Sequence, residues 1–137
     1  MALSRYCLDT SAYSHFQRGA AQIVELIDTA EWLGVPSVVL GELWVGFLVG
    51  GHARQNQREL SEFLANPVVE VLAVDHEVAR LYAEIVVALR ADGMPLPSND
   101  VWVAASAARA GATLLTYDPH FTAIRRIGSL VLQAPAV

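Results

Sequence analysis

Four carboxylates carry the chemistry this chain can do: Asp9, Glu42, Asp100 and Asp118. They lie far apart in the sequence, each in a mostly apolar neighbourhood: RYCLDTSAY, VVLGELWVGF, PLPSNDVWVAA and TLLTYDPHF. A charge flanked by hydrophobic residues is costly to fold unless something satisfies it. Two carboxylates ~4 Å apart repel by about 4 kcal/mol at an effective dielectric of 20. Four in one cleft would raise one another's pKa values and oppose folding. Mg²⁺ or Mn²⁺ reverses that cost, because oxygen ligands match a hard divalent cation. Such a site suits hydrolysis of a phosphodiester.

Each acid also has a plainer reading. Asp is among the preferred helix caps and complements the helix dipole. Asp9 and Asp118 fit that role, and Pro119 occupies the first helical position that proline favours. Asp100 fits it less well, since Ser98 competes to cap the same helix. Glu42 fits it least. Val38, Val39, Val45 and Gly46 stand at helical spacing around it, so it is expected on a buried face. No Arg or Lys lies within four residues. Glu is rarely fully buried without a partner.

The elements that would position these acids alternate between strand and helix. Leu3 to Leu8 reads as a first strand, and Asp9-Thr10-Ser11 as a helix start. Ile23, Leu26, Ile27, Ala30 and Leu33 recur at helical spacing, with Gly34 as the stop. Pro36 to Val39 is a candidate short strand, which would put Glu42 in the first turn of an apolar helix, Leu40 to Val49, closed by Gly50-Gly51. His52 to Leu64 reads as a polar helix. Val68 to Val74 suits a strand covered on both faces. Val78, Leu81, Tyr82, Ile85, Val86 and Leu89 form one helical stripe between Asp75 and Gly93. After the Pro95–Pro97 loop, a helix capped by Ser98 runs to Gly111. Thr113 to Thr116 is a strand, Asp118-Pro119 starts another helix, and Leu130 to Leu132 is a last strand. This alternation predicts an α/β fold with a mainly parallel sheet. Ligands of such sheets bind outside the carboxyl ends of the strands. Asp9 and Asp118 follow two of those ends, and all four acids are able to face one cleft.

The bulk properties narrow the class. The 137 residues suit one domain, 1–137, and 54% are hydrophobic. That supplies a core with apolar surface to spare. No apolar stretch reaches the ~18 residues of a membrane span. The N-terminus lacks the apolar region of a signal peptide, so a cytoplasmic protein is expected. The lone Cys7 is read as a buried, inert thiol. The net charge of −5 argues against a general nucleic-acid coat protein. All nine basic residues are Arg, which excludes lysine Schiff-base and P-loop chemistry. His15, His52, His76 and His120 lack zinc-site spacing and are read as surface or capping residues.

With these residues in hand, the chain resembles PIN-domain proteins, specifically VapC-type toxins, over almost its whole length. The ordered set carries the likeness: a first strand entering LDTSAY, a mid-chain GEL, then PLPSNDVWVAASAARAGATLLTYDPHF and a closing strand. The resemblance implies a three-layer α/β/α sandwich and a Mg²⁺- or Mn²⁺-dependent endoribonuclease. It further implies a homodimer inhibited by a cognate antitoxin. The family's acidic positions fall on Asp9, Glu42, Asp100 and Asp118, and its hydroxyl and amide companions on Thr10, Ser11, Asn99 and Thr116. Pro119 departs from the pattern, since a polar or basic residue often stands there.

An acidic protein must still attract RNA, and the adjacent Arg125-Arg126 is the best candidate for backbone contact. Trp44, Phe47 and Leu48 surround Glu42's helix and are candidates for an antitoxin groove. Rival readings remain: a DNA-directed or structure-selective nuclease of the same fold, or a binding module whose acids only cap helices. An Asp-based phosphatase would want a second Asp where Ser11 stands. A receiver domain would want a lysine, and a dinucleotide-binding domain a GxGxxG.

Overall fold

The computed structural model describes residues 4–134, so Leu3, expected in the first strand, lies outside the described residues. Its elements run β1 (Arg5–Leu8), α1 (Thr10–Gln17), α2 (Ala21–Thr29), β2 (Trp32–Pro36), α3 (Ser37–Val49), α4 (Ala53–Leu64), β3 (Val69–Leu72), α5 (His76–Ala91), α6 (Ser98–Ala110), β4 (Thr113–Thr116), a 3₁₀ turn (Pro119–Ala123) and β5 (Ser129–Val131). The five strands form one sheet in the order β3-β2-β1-β4-β5. Every pairing is parallel. From β1 the chain steps outward to β2 and β3, then returns across β1 to β4 and β5. Right-handed crossovers place α1–α4 on one face and α5–α6 on the other, giving the three layers. The direction of travel reverses between β1 and β4. The crevice outside their carboxyl ends is where such sheets bind ligands.

The sequence expectations fail mainly around β2. Gly34 does not stop a helix; it sits mid-strand, because α2 ends at Thr29. A Cβ at Gly34 would lie 2.5 Å from the Trp32 ring and 2.8 Å from Leu72 Cδ1. The glycine makes room for that indole, which bonds to Glu70 Oε2 at 2.9 Å and carries the Arg5 guanidinium 4.2 Å above its ring. The candidate strand Pro36 to Val39 is helix from Ser37 onward, so Glu42 lies in the second turn rather than the first. Proline favours this boundary because it presets the backbone ahead of the first turn. β3 is an edge strand with half-exposed sides, not one covered on both faces. Its apolar run reflects partial packing, with Val71 still 45% exposed.

The end of the chain conforms more closely. Asp75 caps α5, accepting from Val78 N at 2.9 Å. α6 lacks a side-chain cap: Ser98 is its first residue and Pro97 precedes it. Asp118-Pro119 opens a 3₁₀ turn rather than an α-helix, and the last strand is Ser129–Val131.

The core packs against both faces of β1 and β4. Cys7, Leu8, Leu114 and Leu115 are wholly buried. α6 is buried nearly all round through Val101, Val103, Ala104, Ala105, Ser106 and Ala107. Its small residues let neighbouring elements approach closely, and Trp102 stacks on Tyr82 of α5 at 3.8 Å. Gly111, at φ 63°, turns the helix directly into β4. Leu33, wholly buried in β2 between β1 and β3, tests this core. Leu33→Ala should cost about 3 kcal/mol of unfolding free energy, measured by urea denaturation.

Candidate active site

The site forms where β1 and β4 end side by side. Asp9 follows β1 and is 6% exposed. Its backbone N–H donates to Leu115 O of β4 at 3.4 Å. Asp9 Oδ1 accepts from Ala12 N at 2.8 Å, capping α1, and from Ser11 Oγ at 2.8 Å. Asp9 Oδ2 accepts from the Thr116 hydroxyl. Those hydroxyls are themselves aimed by backbone of the other strand's loop. Ser11 Oγ accepts Tyr117 N–H at 3.1 Å, and Thr116 Oγ1 accepts Asp118 N–H at 2.9 Å. Each hydroxyl therefore turns its single proton toward Asp9. Two donors fill Oδ1, while Oδ2 keeps one lone-pair direction free.

The other acids surround this point from separate elements. Glu42, on α3, is half-buried, and its Oε1 accepts from Thr10 Oγ1 at 2.7 Å. The expectation that Glu42 shares a buried face is corrected: Val45 is 63% exposed and Gly46 is also exposed. α3 is apolar well beyond the face it buries, so its sequence hides which side meets solvent. Asp100 stands in the first turn of α6 and caps nothing. That helix must run antiparallel to the strands to reach the start of β4, so its first turn lies at the same sheet edge. Asp118 accepts from His120 N at 2.9 Å and meets the His120 imidazole, Nδ1 to Oδ1, at 2.7 Å. Asn99 is exposed beside Asp100.

The electrostatics show that these groups sense one another. Burial pushes Asp9 above the usual carboxylate range, against the pull of the Thr116, Ala12 and Ser11 hydrogen bonds, and Asp118 adds repulsion. Burial also raises Asp100, followed by repulsion from Asp118, Glu42 and Asp9, while His120 opposes the shift. All four acids are thus within electrostatic reach. No arginine among the described residues makes an ion pair with any of them.

The donor set fits a divalent cation in its chemistry. It is all oxygen, negatively charged and unneutralised, with a free lone pair on its most rigid member. The arrangement is open rather than a finished cage: no three His, Cys, Asp or Glu among the described residues converge tightly enough to enclose an ion. Asp9, Asp100 and Asp118 are the candidates to hold it, and Glu42 directly or through water.

Other sequence candidates are placed less simply. Arg126 pairs with Glu84 of α5, whereas Arg125 is exposed. Phe47 is only 9% exposed and packs into the core beneath this face, whereas Trp44 and Leu48 are 41% and 69% exposed. Cys7 is buried, and burial first, then Asp9, pushes its thiol far up. His120, read from the sequence as a surface or capping residue, is indeed exposed and in addition contacts the Asp118 carboxylate. The signal for that contact was its place two residues after Asp118, where a tight turn folds a side chain back onto the carboxylate. His15, given the same reading, stacks on Tyr117 at 3.7 Å.

A parallel sheet with this reversal, and acids delivered by β1, α3, α6 and the β4 loop, defines a nuclease-like site. The chain belongs to the PIN-domain family, whose model matches residues 6–127. Ribonuclease VapC4 of Mycobacterium tuberculosis is 37% identical to it over 94 residues, which cover 69% of this chain and 72% of that protein. Among solved structures, VapBC2 from Rickettsia felis, bound to a promoter DNA fragment, superposes with a TM-score of 0.82 at 24% identity. That match covers 94% of this chain and 99% of its counterpart. VapBC-5 of M. tuberculosis, described as a toxin–antitoxin system, superposes with a TM-score of 0.72 at 28% identity, covering 96% and 99%.

The raised pKa values have a testable sign. A carboxyl that holds its proton more tightly when folded stabilises the protein at low pH, and that contribution fades as pH rises through the folded pKa. Asparagine mimics the protonated form. In chelator, Asp100→Asn should therefore melt above the wild type at pH 7, with the gap closing toward pH 4, by scanning calorimetry. Mn²⁺ should raise the wild-type Tm and leave that of the variant nearly unchanged.

Proposed function

We propose that the chain is a divalent-metal-dependent endoribonuclease, the toxin of a toxin–antitoxin pair, acting in the cytoplasm as a homodimer. The observation that carries this reading is the geometry at the β1–β4 edge, where Asp9 is fixed by Ser11, Ala12 and Thr116 at the end of β1 and Asp100 and Asp118 are delivered to the same edge by α6 and the β4 loop. The named ribonuclease relative and the toxin–antitoxin neighbour above 25% identity support it. Among the described residues no helix is long and apolar enough to cross a membrane.

In this mechanism Asp9, Asp100 and Asp118 would hold Mg²⁺ or Mn²⁺, with Glu42 as a further ligand or as the group orienting water. The cation supplies neutralisation of the phosphate and a lowered pKa for water. The Ser11 and Thr116 hydroxyls keep Asp9 in one orientation, so that Oδ2 stays available. Thr10 occupies Glu42 Oε1, which leaves Oε2 to accept a proton from the attacking water. Water adds to phosphorus in line with the departing 3′-oxygen, giving 5′-phosphate and 3′-hydroxyl ends. Asn99, exposed beside Asp100, is the candidate to donate to a non-bridging phosphate oxygen. Arg125 is the better candidate for RNA-backbone contact, because Glu84 occupies Arg126.

The antitoxin surface in this reading is the outer stripe of α3. Trp44, Val45, Leu48 and Val49 are 41%, 63%, 69% and 83% exposed. Beside it, α1, α3 and α4 frame a depression of about 410 Å³ lined by Tyr13, Leu43 and Phe47. An amphipathic helix would lay its apolar side on the stripe.

Two experiments test the proposal. Purified protein should cleave single-stranded RNA with Mn²⁺ and stop with chelator, while Asp100→Asn folds and loses at least a hundredfold in kcat/KM. Cleavage that persists in chelator would overturn the metal reading, and cleavage of DNA alone would replace the substrate. Leu48→Glu should leave the Tm within about 2 °C, since the position is exposed. It should weaken binding of the cognate antitoxin tenfold or more by titration calorimetry.

A further inference from the structure

Next to Asp118 the surface opens into a slot of about 390 Å³ between the loop after α5 and the 3₁₀ turn. Met94, Pro95 and Leu96 form one side, and Pro119, His120 and Ala123 the other. This volume falls within the range of ligand pockets. The lining is mostly apolar and contains no Arg, Lys, Asp or Glu. Its imidazole is held in place by the 2.7 Å contact with Asp118. Thr122, at the rim, spends its hydroxyl proton on Pro119 O at 2.8 Å, which leaves oxygen lone pairs as acceptors. Met94 is 54% exposed in the same slot.

The chemistry of the slot excludes a phosphate, which would want cations, and favours a flat, weakly polar ring. Two proline rings, a thioether and a fixed imidazole are stacking and packing surfaces. The slot adjoins one of the acids through His120, whose Nδ1 lies 2.7 Å from Asp118 Oδ1. Resting on the ribonuclease reading, we propose that it receives the unpaired nucleobase adjoining the scissile phosphate, and that Met94, Pro119 and His120 set the base preference of cleavage. Single-stranded RNA is recognised in this way, by bases splayed from the strand and stacked on side chains. Pro119, where a polar residue often stands in similar chains, then has a positive role as an apolar wall. Ala123 also lines the neighbouring depression, which includes Arg125 and Arg126 as well as Asp92.

The test uses the full chain with Mn²⁺ and a randomised single-stranded RNA pool, with cut ends sequenced. Met94→Glu puts a charge in the slot, and Thr122→Trp fills it from an exposed position. Both should keep the wild-type Mn²⁺ thermal shift, raise KM about tenfold on the preferred sequence, and flatten base preference at one position beside the cut. Wild-type protein that cuts RNA, with both variants retaining its base profile and KM, would overturn the slot and leave the ribonuclease reading standing. Variants that keep the base profile but escape inhibition by the antitoxin would reassign the slot to protein binding. A wild type that cuts no RNA would overturn both.

Discussion

The constraint on which everything else hangs is the buried carboxylate of Asp9. A charge this enclosed survives only if the groups around it are fixed donors. They come from both sides of the β1–β4 seam: the Ala12 amide and the Ser11 hydroxyl from α1, the Thr116 hydroxyl from β4. Backbone amides of Tyr117 and Asp118 then aim the two hydroxyls. The arrangement joins strand pairing to side-chain orientation. If the β1–β4 register shifted by one residue, Thr116 would turn to the opposite face and Asp9 would lose a donor.

Much of this was legible because helix–strand alternation and helix-start chemistry are local signals. Asp9 and Asp75 cap as their neighbours suggest, and the acids do lie within reach of one another. Other features were not local. The Gly34 misreading came from counting Leu33 into a helical stripe, when a strand fits because the Trp32 indole folds over a residue without a Cβ. The burial of Glu42 was misjudged because α3 is apolar on more than one side. Nothing within the helix distinguishes its core face from a face prepared for a partner. The contacts of Arg126 and His120 were missed for a related reason, since their partners Glu84 and Asp118 are chosen by the fold of the β4–β5 connection.

The same comparison clarifies what the acids do. Only Asp9 is truly buried, so capping and chemistry are not rivals for it: the amide that caps α1 also restrains the carboxylate. Asp118 likewise opens its 3₁₀ turn and faces Asp100. Asp100, which caps nothing and is raised by three neighbouring carboxylates after burial, has the weakest structural excuse for its charge. Asp100, more than Glu42, is therefore the acid whose presence folding alone does not explain.

Cys7 adds a consequence of a different kind. The chain's single thiol, that of Cys7, lies two residues before Asp9, wholly enclosed between β2 and β4. A thiol so placed is silent to alkylating reagents while the seam is shut and becomes reactive only when the two central strands part. The molecule thus carries a built-in reporter of its own opening, at the place where opening would also dismantle the carboxylate network.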